Sequence, residues 1–73
     1  MGVMPHDVRT MYEKWWQKGY QYEVKGNYKW AASTYQDCKE LAEMYEERSA
    51  IRESQKRIDA CQAKIKDDGK NIA

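Results

Sequence analysis

Apolar residues recur at spacings of three and four in two stretches of the chain, separated by one strong break at Gly26-Asn27. The first stretch predicts a helix over residues 5–25, with a stripe formed by Val8, Met11, Tyr12, Trp15, Gly19 and Tyr22. The second predicts a helix over residues 27–47, with a stripe formed by Tyr28, Ala31, Ala32, Tyr35, Cys38, Ala42 and Tyr45. Small residues among the aromatic ones let two helix axes approach closely, so a helical hairpin is expected.

Beyond this hairpin the apolar pattern narrows to a single row with a period of seven. Its members are Met44, Ile51, Ile58, Ile65 and Ile72. So narrow a row predicts a packing or assembly seam, either within one chain or between two chains. A turn near residues 46–50 would make residues 50–68 a third helix, with Gly69 as its stop signal. Because no glycine or proline marks that turn, one helix continuing from residue 27 is the alternative.

The predicted fold class is all-α, with residues 1–73 forming a single helical domain. Either the hairpin and a third helix form a three-helix bundle, or a long second helix pairs in a dimer. Residues 27–48 carry three cations and five carboxylates, a net charge of −2, whereas residues 49–73 carry six cations and four carboxylates, a net charge of +2. An acidic middle can pack beside a basic end within one chain, or it can join two chains head to tail.

Length and composition limit the core that this chain can form. It has 73 residues, of which 41% are hydrophobic and 34% charged. Six tyrosines and three tryptophans occur without any phenylalanine, so the core is built from rings whose OH or NH groups must reach water or a partner. A chain this short buries a small share of its surface, and help from a partner or a second copy is plausible.

Candidate chemistry is sparse. Cys38 and Cys61 stand without a second cysteine pair or a nearby histidine, which predicts free, half-buried thiols rather than a zinc site or a disulfide framework. His6 is the only histidine, and it lies near the amino end with no serine or cysteine partner. The adjacent carboxylates Glu46-Glu47 and Asp67-Asp68 do not face one another on a helix. The sequence therefore predicts no catalytic residue, no metal and no cofactor.

Protein partners fit the sequence better than nucleic acid or membrane. Trp15 falls on the first stripe and is expected in the core, whereas Trp16 lies about 100° around the helix from it. Trp16 and Trp30 are therefore expected to be exposed and, with Tyr45, to bind a partner protein, the alternative for the tryptophans being packing under the third helix. Basic residues in the last helix are interspersed with acids, which makes nucleic-acid binding a weaker alternative. Its apolar row is too thin for a membrane-surface anchor.

Eight residues of the predicted hairpin follow a recognisable order and spacing: Trp15, Gly19, Tyr22, Gly26, Tyr28, Ala31, Tyr35 and Cys38. This spacing resembles the tetratricopeptide repeat. The match covers about residues 12–45, and Glu43 stands where that family has the proline that ends its second helix. More distantly, Gly26 through Tyr35 followed by a third helix resembles the microtubule-interacting-and-trafficking domain. Both resemblances imply a module that binds peptides or helices of other proteins in grooves between its helices.

The leading hypothesis is a small cytoplasmic interaction protein without enzymatic activity, which acts as an adaptor, regulator or inhibitor by occupying a partner's surface. The cytoplasm is expected because the amino terminus lacks the features of a signal peptide and no apolar run is long enough for a membrane helix. One alternative is a homodimeric helical protein whose assembly is its function. Another is a nucleic-acid-associated regulator. Small size and many aromatic residues would also suit a viral or mobile-element protein.

Overall fold

Three helices make up most of the chain. The computed structural model describes residues 4–71, and the side chains of residues 4–67. Helix α1 spans His6–Val24, α2 spans Tyr28–Met44 and α3 spans Arg48–Asn71, and no strand occurs within that described range. The central helix α2 packs against both α1 and α3. The all-α three-helix fold is thus confirmed, and a helix running unbroken from residue 27 is not formed.

Both connections are three-residue turns of the same kind. In the first, the N–H of Asn27 donates to the carbonyl oxygen of Tyr22 (2.9 Å) and the N–H of Gly26 to that of Glu23 (3.0 Å). This pair of bonds is a Schellman motif, with Gly26 in the left-handed region at φ +86°. The turn predicted at Gly26-Asn27 is therefore present, because glycine adopts this conformation without a Cβ penalty.

The second connection repeats the motif without a glycine. The N–H of Glu47 donates to the carbonyl oxygen of Ala42 (2.9 Å) and that of Glu46 to Glu43 (3.1 Å), while Glu46 itself has φ +55°. The turn occupies residues 45–47 rather than 46–50. Helix α2 therefore ends before the predicted residue 47, and α3 begins before the predicted residue 50. Glutamate is uncommon in the left-handed region, which is why no residue type marked the turn.

Replacing Glu46 by glycine should stabilise the fold. The substitution Glu46→Gly relieves the left-handed strain, and we expect the free energy of unfolding to rise by about 1 kcal/mol. Urea denaturation followed by circular dichroism measures this difference. Glu40→Gly, on an exposed position inside α2, is the matched control and should lower the free energy of unfolding by about 1 kcal/mol. A loss of stability for Glu46→Gly would contradict the assigned backbone conformation.

The last helix is longer than the sequence pattern predicts. Gly69 was expected to stop it, yet α3 continues through Gly69 to Asn71. A glycine within a helix costs about 1 kcal/mol relative to alanine but does not end the helix by itself, so that prediction was wrong. Ile72, the last member of the seven-residue row, lies outside the described residues.

Gly19 of α1 packs directly against the ring of Tyr35 of α2. A Cβ on Gly19 would lie 3.0 Å from Cε1 of Tyr35, so the ring occupies the space that a side chain would need. Tyr35 and Ala31 are fully buried, and together with Ile58 and Cys61 of α3 they form the core. The predicted close packing of α1 and α2 at Gly19 is therefore present, whereas Ala31 lies in the core with residues of α3.

The seven-residue row does not form one seam. Met44 is 73% exposed at the end of α2, Ile51 is half-buried, Ile58 is buried and Ile65 is 39% exposed. Instead, α3 buries Ser54, Ile58 and Cys61, spaced by four and three residues as on one face of an ordinary helix. The prediction was wrong for Met44 because the turn at residues 45–47 places it on a different helix.

The molecule is elongated. Its Cα atoms extend over 46 × 19 × 12 Å. The two turns lie at opposite ends of α2, whose 17 residues span about 25 Å. Across the part of the chain that the structure covers, none of the helices combines the length and apolar character required to cross a bilayer.

Candidate protein interaction surface

The two neighbouring tryptophans point in different directions. The Trp16 ring lies beside α3, with its centroid 5.0 Å from that of Tyr35 and 5.9 Å from that of Tyr12. The guanidinium carbon of Arg57, on α3, is 6.0 Å from the centroid of the Trp16 ring. The expectation that Trp16 is exposed was therefore wrong, because its ring turns toward Tyr35 of α2 and Arg57 of α3 and is half-buried against the core. The alternative of packing under the third helix is what the structure shows.

A polar network joins all three helices beside this aromatic group. The hydroxyl of Tyr35 donates a hydrogen bond to Glu23 Oε1 (2.9 Å), and Glu23 Oε2 lies 3.6 Å from Nη1 of Arg57. Burial and the bond to Glu23 both raise the pKa of the Tyr35 hydroxyl. Tyr35 therefore stays a neutral donor, and the network holds α3 in register against the hairpin.

Further along the same interface, α1 and α3 are joined through Ser54. Its hydroxyl donates to the carbonyl oxygen of Ala50 (2.7 Å), which leaves Ser54 Oγ as the acceptor for the hydroxyl of Tyr12 at 3.4 Å. Ser54 is fully buried and burial raises the pKa of Tyr12. A polar residue at this core position gave no hydrophobic signal in the sequence, so its role was missed.

Ion pairing removes part of the basic character of α3. Arg57 is engaged by Glu23 and by the Trp16 ring, so one of the cations counted toward nucleic-acid binding is committed to the fold. At the other end of the interface, Nη2 of Arg9 lies 3.6 Å from Oε2 of Glu47. The remaining cations of α3 that the sequence singles out, such as Arg52, Lys56 and Lys64, are exposed.

The opposite side of the hairpin carries a second set of aromatic residues. Trp30 is 63% exposed, and its ring centroid lies 6.3 Å from that of Tyr22. Farther along the hairpin, an open groove of about 180 Å³ is lined by Trp15, Asp37, Glu40, Leu41 and Met44. Residues seven apart share a helix face, which places Trp15 with Tyr22, and Trp30 with Asp37 and Met44. We call Tyr22, Trp30 and this groove the outer face of the hairpin.

The outer face combines apolar side chains with carboxylates. Leu41 is nearly buried at the groove, whereas Asp37 and Glu40 are exposed. Among the described side chains, neither of these carboxylates is within ion-pairing distance of a cation. The expected exposure of Trp30 is thus present in the structure, and Trp15, expected in the core, is instead half-buried at the edge of this groove. Tyr45 is also half-buried, at the end of α2.

The eight residues with the repeat-like spacing differ in how deeply the hairpin buries them. Gly19, Ala31, Tyr35 and Cys38 are buried between helices, while Trp15, Tyr22 and Tyr28 are half-buried around them. Gly26 forms the turn. The helix that the family ends with a proline ends here one residue after Glu43, through the turn at residues 45–47.

The thiols are poorly suited to chemistry. Cys38 and Cys61 are both free and buried, where half-burial was expected. Burial raises the pKa of the Cys38 thiol to about 12 and raises that of Cys61 as well. Since the thiolate is the nucleophile, both are poor nucleophiles near neutral pH. Within the range with described side chains, no cluster of three or more histidine, cysteine, aspartate or glutamate residues could hold a metal ion.

Comparison with known proteins does not identify a family or a function for this chain. No protein-family model matches the chain, and searches of curated proteins and of solved structures also find no match. The tetratricopeptide and microtubule-interacting-and-trafficking resemblances therefore remain predictions from the spacing of residues.

Proposed function

We propose that this protein is a non-enzymatic interaction module that binds another protein through the outer face of the hairpin, and that it acts as an adaptor, regulator or inhibitor by occupying that partner. The observation that supports this most is the exposure of Trp30 beside Tyr22. A tryptophan costs free energy when its ring is left in water, and tryptophan is enriched among the residues that carry most of the energy of protein interfaces.

The chemistry of the outer face indicates what the partner presents. Asp37 and Glu40 flank the apolar groove at Trp15 and Leu41. A segment with an apolar side chain next to lysine or arginine would fill the groove and pair with these carboxylates. The resemblance to helical repeats that bind segments of other proteins supports the same proposal. We place the interaction in the cytoplasm, as the sequence predicts.

Trp30→Ala should abolish or strongly weaken partner binding while leaving the fold intact. Loss of a central aromatic anchor costs about 2 kcal/mol or more, an affinity loss of about 30-fold. Tagged protein would be used to capture partners from a lysate of the source organism, and the affinity of each captured protein would be measured by surface plasmon resonance. Circular dichroism should show unchanged helicity for the variant.

Lys29→Ala is the matched control, because Lys29 is an exposed neighbour of Trp30 on α2. It should leave the affinity for the same partner within about twofold, as expected for a surface residue outside the contact. The double variant Asp37→Lys, Glu40→Lys should weaken a partner that docks with basic residues. Partners that bind Trp30→Ala as well as they bind the unmodified protein would refute the proposed binding face.

A further inference from the structure

The two ends of the bundle carry opposite charge. We define the acidic end as the turn at residues 45–47 with the helical turns that meet there, residues 6–11, 40–44 and 48–52. It holds five carboxylates and three cations, a net charge of −2. The basic end is the turn at residues 25–27 with residues 20–24, 28–32 and 60–67, which hold four cations and two carboxylates, a net charge of +2. These two groups of charges lie at opposite ends of α2, about 25 Å apart.

Each end also exposes apolar side chains. Met44 is the most exposed large apolar residue of the described chain, at 73%, and it projects from the acidic end beside Glu43 and Glu46. At the basic end, Val24 is 68% exposed and Tyr20 is 51% exposed. These two residues border a groove between α1 and α3.

The groove at the basic end is shaped to receive an apolar side chain. It is an open groove of about 410 Å³, lined by Tyr20, Glu23, Val24, Tyr28, Ala60 and Lys64. Glu23 is already engaged by Tyr35 and Arg57, so Lys64 is the lining charge that has no ion-pair partner among the described side chains. An occupant with an apolar tip and adjacent carboxylates would match this groove.

The chain itself carries that chemistry at its other end. We infer that copies of this protein associate head to tail, with Met44 of one copy in the basic-end groove of the next and with Glu43 and Glu46 facing Lys64. The contact covers Met44 and Val24, the two most exposed large apolar residues, and opposes a charge of −2 to one of +2.

This contact joins two different surfaces, so it is heterologous. Each added copy leaves one acidic end and one basic end free, and the average mass therefore rises with concentration unless a ring closes. Met44 also lines the groove of the outer face, so this contact and the proposed partner binding share Met44 but not Trp30. Tyr20 and Tyr22 lie about 160° apart around α1, so the groove and Trp30 occupy different sides of the hairpin.

Sedimentation velocity on the full chain tests the inference. The mass should exceed the 8.7 kDa of one chain at high concentration, and it should fall toward that value on dilution and in high salt, which screens the charges. Met44→Ala should weaken association by about tenfold. Trp30→Ala should leave the mass unchanged, which separates a failure here from a failure of the proposed function.

Charge reversal gives the sharper test. The variant Glu43→Lys, Glu46→Lys has two basic ends, and the variant Lys64→Glu, Lys66→Glu has two acidic ends, so each alone should remain a single chain. All four positions are exposed, and circular dichroism should confirm that both variants fold. Mixed together, the two variants should associate again. A mixture that stays at the mass of one chain, or an unmodified protein that does so at about millimolar concentration, would overturn the inference.

Discussion

Tyr35→Ala is expected to unfold most of the protein at 25 °C. The Tyr35 side chain is fully buried, fills the crossing of α1 and α2 against Gly19, and contacts the Trp16 ring edge-on. Truncating a buried aromatic ring costs about 3–5 kcal/mol. At about 0.05–0.15 kcal/mol per residue, the total stability of a small domain is of similar size. Urea denaturation monitored by tryptophan fluorescence measures the loss.

Two variants separate the parts of this effect. Tyr35→Phe keeps the ring and removes only the hydrogen bond to Glu23, so we expect a loss of about 1–3 kcal/mol. Tyr20→Ala removes a tyrosine that is 51% exposed on α1, and the free energy of unfolding should change by less than about 0.5 kcal/mol. If Tyr35→Ala and Tyr20→Ala had similar stabilities, the crossing at Gly19 would not be the centre of the core.

Ile58→Glu is expected to release α3 from the hairpin. Ile58 is 4% exposed and lies in the core with Ala31, Tyr35 and Cys61. The substitution removes an apolar side chain and places a carboxylate in its site, at a cost of about 4 kcal/mol or more. Helicity should fall, because a helical hairpin has little core of its own without the third helix. Circular dichroism and light scattering at several concentrations measure helicity and mass together.

The control for this variant lies one heptad farther along α3. Ile65 is 39% exposed, so Ile65→Glu should change the free energy of unfolding by less than about 1 kcal/mol. Ile58→Val should cost about 1 kcal/mol, because it removes one buried methyl group without adding charge. An Ile58→Glu protein that keeps its helicity and loses only mass would place Ile58 between two chains and contradict its position in the core.

Two of the hairpin's features followed from residue type alone. Gly26 marks the first turn because glycine enters the left-handed region freely, and Gly19 marks a place where α1 and α2 pack closely. Each of these two features depends on the residue type at a single position. The second turn has the same hydrogen bonds with Glu46 in the strained position, so its place could not be determined from residue type.

From the sequence it was harder to tell which residues of α1 lie on the outer face and which lie at the interface with α3. Trp15 and Trp16 are both large, amphipathic and adjacent, and their roles depend on which side of α1 the third helix covers. The stripe on α1 was read as one surface, although it is wide enough to contact α2 in its centre, α3 on one side and solvent on the other. The exposure of Trp30 was predicted because Trp30 precedes Ala31, the residue expected to face the other helix, and so lies about 100° around α2 from it.

The sequence by itself determined the helical class, the first helix with its turn, and Gly19 as a place where α1 and α2 meet, because helix periodicity and glycine conformation act over a few neighbouring residues. Only the tertiary structure decided that α3 folds back on the hairpin in the same chain, that it buries Ser54, Ile58 and Cys61, and that Trp16 lies beneath it while Trp30 and Met44 remain exposed. These outcomes depend on contacts between residues distant in sequence, and such contacts leave no periodic trace along the chain.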